Sequence, residues 1–62
     1  MGSIEVSGTV HEVADDMTIE EAMHSIGLHP DSYLYLISGK PVPMDTLVGG
    51  NKVKAVRVAS GG

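Results

Sequence analysis

Apolar and polar positions alternate at the start of the chain. Ile4 and Val6 are separated by Ser3, Glu5 and Ser7, the period-two pattern of a half-buried strand. A turn at Ser7-Gly8 or Gly8-Thr9 makes Ser3 to Val13 a hairpin. Val10 and Val13 have opposite parity, so one of them faces outward or a bulge intervenes. The period then changes. Ile19, Ala22, Met23 and Ile26 follow i, i+3, i+4, i+7 and occupy an arc of about 100°, the buried stripe of a helix. Thr18-Ile19-Glu20-Glu21 is a capping box at its start. Gly27 provides a left-handed stop, with Leu28 folding back onto Met23. Asp15 and Asp16 precede the helix, where its dipole favours negative charge.

The second half predicts strands. Tyr33 to Ile37 is apolar on both parities and is expected to be a central strand. Ser38-Gly39-Lys40-Pro41 reads as a turn, and Val42 as a short strand confined to an edge by Pro43. Met44 to Val48 is expected to be irregular or a single helical turn. Gly49-Gly50-Asn51 turns the chain into a β-branched strand from Lys52 to Val58. Ala59-Ser60-Gly61-Gly62 offers only small residues and is expected to be a flexible tail. Gly2 and Ser3 carry no weight in this reading. The order is hairpin, helix, strand, short edge strand, final strand: one domain over 1–58 and a tail over 59–62. One helix covers one face of a four- or five-stranded sheet.

Composition narrows the function. The 62 residues contain no cysteine, which excludes disulfides, thiolate metal sites and thiol nucleophiles. The formal charge of −4, without Trp or Phe, argues against direct nucleic-acid binding. No apolar run approaches a membrane span, and the N-terminal residues lack the pattern of a signal peptide, so the expected compartment is the cytoplasm. No catalytic set is present, so no enzyme is expected. Glu20 and His24 share a helix face and read as a solvated pair; with His11 and His29 they do not predict a metal site.

Three segments carry a resemblance: Ile37-Ser38-Gly39-Lys40-Pro41-Val42-Pro43, Val53-Lys54-Ala55-Val56-Arg57-Val58, and Gly61-Gly62. With the element order, they resemble the small archaeal ubiquitin-like modifier proteins, and the chain is also similar to the sulfur carriers of thiamine and molybdopterin synthesis. The resemblance covers about residues 4–62. It departs at Ser38-Gly39, where the family often has Asp-Gly or Asn-Gly, and at Ala55, where a larger aliphatic residue is usual.

The resemblance implies an α+β fold, the β-grasp, with a mixed sheet packed on one helix. It implies activation of the Gly62 carboxylate by adenylation, with Gly61 keeping the approach uncrowded. It also implies a partner-docking patch of Leu34, Leu36, Lys54, Val56 and Arg57, and Lys54, Lys40 and Lys52 as candidate acceptor lysines. ATP and Mg would be used by the activating enzyme and not bound by the chain itself. The implied partners are a ubiquitin-activating-type adenylating enzyme, target proteins joined through lysine, a JAMM-type deconjugating metalloprotease, and a sulfurtransferase or tRNA-thiolation enzyme. The alternatives are a dedicated sulfur carrier without conjugation, for tRNA thiolation, thiamine or molybdopterin synthesis, and a plain interaction module with an incidental Gly-Gly end.

Overall fold

The computed structural model describes residues 1–58; the tail expected over 59–62, with Gly61 and Gly62, lies outside the described residues. Strands β1 (Gly2–Val6) and β2 (Thr9–Val13) form the hairpin, followed by helix α1 (Ile19–Ser25) and a 3-10 turn at Pro30–Ser32. Strands β3 (Tyr33–Ile37), β4 (Lys40–Val42) and β5 (Lys52–Arg57) complete a five-stranded sheet in the order β2-β1-β5-β3-β4. β1 and β5 are parallel, and the other neighbours are antiparallel. This mixed sheet with one helix is a β-grasp, as the resemblance implies.

The helix is bounded as its sequence requires. The Thr18 hydroxyl accepts from the Glu21 amide at 3.1 Å, while the Glu21 carboxylate accepts from the Thr18 amide at 2.9 Å. Two donors that the first turn would leave unpaired are thereby satisfied. At the other end Gly27 adopts φ +81°. The Leu28 amide donates to the Met23 carbonyl and the Gly27 amide to that of His24, the two bonds of a Schellman stop.

Ile4, Val6, Val53, Ala55 and Tyr35 bury one sheet face against Ile19, Ala22 and Met23 of α1. Val13 completes this side from β2, while Val10 faces outward at 52% exposure. The β1–β2 register is continuous, so simple alternation resolves the parity conflict without a bulge.

Four expectations change. β3 is interior but not central; β5 holds the middle of the sheet, and β3 lies between it and β4. Only one of its two apolar parities, with Tyr35, packs in the core. Leu34 and Leu36 lie on the face turned away from α1, so apolarity on both parities does not report the strand's rank in the order. The turn before β4 contains only Ser38 and Gly39, and Lys40 and Pro41 already belong to the strand. Gly2 is a buried strand residue: a Cβ added there would overlap Val48 Cγ1. Finally, Asp15 does not serve the helix dipole alone. Its carboxylate lies 3.4 Å from the Met1 ammonium, and its carbonyl accepts from Gly49.

Segment 44–48 is irregular, one of the two forms expected for it, apart from an isolated bridge between Thr18 and Leu47. It runs beside the entry to α1, with Ile19 donating to Thr46, Glu20 to Met44, and Val48 to Met17. These bonds hold Val48 fully buried beneath the hairpin.

Candidate functional site

Pleating divides the sheet into two chemically different faces. Cross-strand partners share a face, and the register pairs Leu34 with Val56 and Leu36 with Lys54. All four therefore lie on the face turned away from α1. Leu34 is 57% exposed and Val56 39% exposed; Leu36 is half-buried and Lys54 exposed. Pro41, the register partner of Leu36, extends this surface onto β4. Glu5, the partner of Lys54 on β1, bounds it on the other side. The resulting surface has an apolar centre with charge at one border, the composition of a protein-contact patch.

Arg57 departs from the expected patch. It pairs with Tyr33 and alternates with Val53 and Ala55, which places it on the helix-side face. There it lines a shallow depression with Gly27, Leu28, His29, Ser32 and Tyr33. The expected patch that joined Arg57 to Val56 is corrected by strand alternation, which puts neighbouring residues on opposite faces.

The lysines also separate. Lys52 and Lys54 lie on the open face, paired with Ser3 and Glu5 of β1. Lys40 pairs with Ile37 and is on the opposite face at the β4 edge. Glu5 and Pro41 were not identified from the sequence, because neither has a signal until strand register is known.

β5 leads out of the sheet beside this surface. The Val58 amide donates to the Ser32 carbonyl at 3.0 Å, holding the chain next to the start of β3 through the last described residue. The Leu34–Val56 pair is thus two residues from the point where residues 59–62 begin. Among the described residues there is no group of three or more His, Cys, Asp or Glu suited to a metal ion. No helix among them is long and apolar enough to cross a membrane.

The comparisons agree with this architecture. The family model for small archaeal modifier protein 2 matches residues 3–59. The chain is 36% identical to small archaeal modifier protein 2 of Haloferax volcanii over 63 aligned positions, covering 97% of this chain and 96% of that protein. It is also 40% identical over 42 residues to an uncharacterized protein of Archaeoglobus fulgidus, covering 68% of this chain. The chain spans 63% of the length of that relative. With a β-grasp fold and a model match across nearly all of its residues, the chain belongs to the small archaeal modifier protein 2 family, whose members are ubiquitin-like modifiers.

Proposed function

We propose that this protein is a ubiquitin-like modifier and sulfur carrier, activated at the carboxylate of Gly62. The observation that carries the reading is the alignment over 97% of the chain with a protein named as a small archaeal modifier. The chemistry is compatible with it. A carboxylate is a poor electrophile because oxide is a poor leaving group. Attack of the Gly62 carboxylate on the α-phosphorus of ATP, in a ubiquitin-activating-type enzyme using Mg, gives an acyl-adenylate and pyrophosphate. AMP then becomes the leaving group.

The next nucleophile decides the fate. A lysine amine, directly or through an enzyme thioester, gives an isopeptide bond to a target protein. A protein persulfide gives an acyl disulfide, and attack by a second thiol releases the thiocarboxylate for a sulfurtransferase or a tRNA-thiolation enzyme. A JAMM-type metalloprotease would reverse conjugation. In this reading the chain is the substrate of its partners, and Gly61, lacking a Cβ, leaves the terminal carbonyl uncrowded.

The test has two parts. ATP–pyrophosphate exchange with an adenylating enzyme is measured for the full chain, for a variant lacking Gly62 and for Gly61→Val, alongside thermal melting. Loss of exchange with unchanged melting is expected for both variants; normal exchange without Gly62 sinks the reading. Mass spectrometry of the native protein supplies its terminal residue and separates the fates. A terminal thiocarboxylate marks a carrier, Gly-Gly remnants on other proteins' lysines mark a modifier, and neither favours a plain interaction module.

A further inference from the structure

The two edges of the sheet differ in what they leave unpaired. Ser7 and Gly8 both have positive φ, 50° and 82°, and close the β1–β2 hairpin as a two-residue turn of type I′. In such a hairpin the pair next to the turn, Val6 and Thr9, is hydrogen-bonded, and bonded and non-bonded pairs alternate from there. Thr9, His11 and Val13 therefore direct their backbone groups at β1. Val10 and Glu12 direct theirs away from the sheet. No turn, loop or side-chain hydrogen bond among the described residues reaches either one.

The β4 edge is different. Ser38 and Gly39, at φ 53° and 78°, set the same alternation there. Leu36 and Pro41 form the non-bonded pair, so Pro41 is the β4 residue whose backbone faces outward. Proline has no N–H, so that edge offers an incoming strand no donor. β2 has no proline, no lysine and no bulge, the devices that commonly close an edge.

Charge distinguishes the edges as well. All four Lys and Arg residues lie in β4 and β5: Lys40, Lys52, Lys54 and Arg57. β2 carries the exposed Glu12 and runs on toward Asp15, which faces the Met1 ammonium, and Asp16. Glu12 pairs across the hairpin with Ser3, not with a cation. A second copy pairing β2 with β2 would bring its own Glu12 to this edge, and its basic β4 edge presents Pro41, which has no N–H to give.

The geometry points to the β2 edge as a docking site for an extended, basic segment of a partner protein, which joins the sheet as a sixth strand. An antiparallel segment would exchange both backbone bonds with Val10 and both with Glu12. Its side chains opposite those residues would share the open face with them. The segment matched to this edge therefore reads basic, any residue, apolar: the base against Glu12 and the apolar side chain against Val10. β2 is three strand spacings from β3, about 14 Å. Such a segment leaves the Leu34–Val56 surface free, so the two surfaces can be occupied together.

The test uses the full chain, 15N-labelled, and needs no activating enzyme. The probe is an acetylated, amidated eight-residue peptide with arginine, threonine and isoleucine at three successive central positions. Titration is expected to shift and protect the Val10 and Glu12 amides first. Val10→Pro, which copies onto β2 the device at Pro41, is expected to abolish these shifts. Glu12→Lys, a surface change independent of any effect of proline on folding, is expected to weaken binding at least about tenfold. It should also favour the same peptide with glutamate in place of arginine. Shifts centred on Leu34 and Val56, or equal affinity in Glu12→Lys, would overturn the proposal. So would Val10 and Glu12 shifts that grow with protein concentration alone, since those assign the edge to a second copy.

Discussion

The Tyr35 hydroxyl donates a 2.6 Å hydrogen bond to the carbonyl oxygen of Pro30, and both residues are buried. The bond fixes the connector after α1 onto the strand that pairs with β5. Burial, reinforced by Tyr33, Asp31 and Glu20, pushes the Tyr35 phenol up to about 12. Tyr35→Phe removes one of two donors to the Pro30 carbonyl, which keeps the Tyr33 amide, and is expected to cost about 0.5–1.5 kcal/mol in denaturant unfolding. An unchanged midpoint would show that the bond contributes nothing.

The same phenol predicts an alkaline limit. Its folded value lies above the ordinary 10.0, so the unfolded chain loses this proton first as pH rises. The stabilisation is complete below pH 10 and is lost between about 10 and 12, with a slope of up to about 1.4 kcal/mol per pH unit. Unfolding followed from pH 8 to 12 is expected to show this decline in the natural chain. Tyr35→Phe should show a shallower one, and parallel curves would exclude Tyr35 as its source.

Gly2 and Val48 give a packing prediction. Val48 is fully buried and β-branched, so it has little freedom to retreat from a methyl group at position 2. The Asn51 carbonyl lies 3.2 Å from the same added Cβ and closes the other side. Gly2→Ala is expected to destabilise the protein by about 1–3 kcal/mol through overpacking. A denaturant midpoint equal to that of the natural chain would contradict the placement of β1 against this turn.

These residues show what was legible in sequence and what was not. The capping box at Thr18 and the stop at Gly27 were legible because each is a local arrangement within a few positions. The order of elements was legible because the period changes from two to 3.6 and back. Val48 was not, since its burial comes from backbone bonds to Met17 and from contact with Gly2, both distant in sequence. Arg57 is a different case. Alternation within β5 already puts it on the face opposite Val56, and the pairing with Tyr33 confirms that local signal.

The two sheet faces are expected to respond oppositely to the same charge. Leu34→Asp places a carboxylate where the side chain is already 57% exposed and should stay within about 0.5 kcal/mol of the natural stability. It should still weaken docking to an activating enzyme if the Leu34–Val56 surface is used. Val53→Asp puts an unpaired carboxylate into a fully buried site and should unfold the chain. Circular dichroism with a binding assay separates the outcomes. A folded Val53→Asp with a disrupted Leu34→Asp would invert the assignment of faces.

The last prediction concerns self-modification, and it rests on the proposed activation of Gly62. An isopeptide acceptor must be an exposed amine that a second copy's activated tail can meet. Lys40 is exposed but lies on the helix-side face at the β4 edge, away from the Leu34–Val56 surface. Lys52 is on the open face at the start of β5, at the opposite end from the tail. Lys54 is on the open face in register with Leu36, in the centre of the sheet. An enzyme or second copy docked over Leu34 and Val56 would hold its activated carbonyl nearest that amine. Proximity of this kind raises effective concentration without any change in the amine itself. Incubation with ATP, Mg and an activating enzyme, followed by digestion and mapping, is expected to find the Gly-Gly remnant mainly on Lys54. Lys54→Arg keeps the charge beside Glu5 and should lower the yield of oligomers while leaving adenylation intact. Remnants confined to Lys40 or Lys52, or an unchanged yield in Lys54→Arg, would move the acceptor elsewhere.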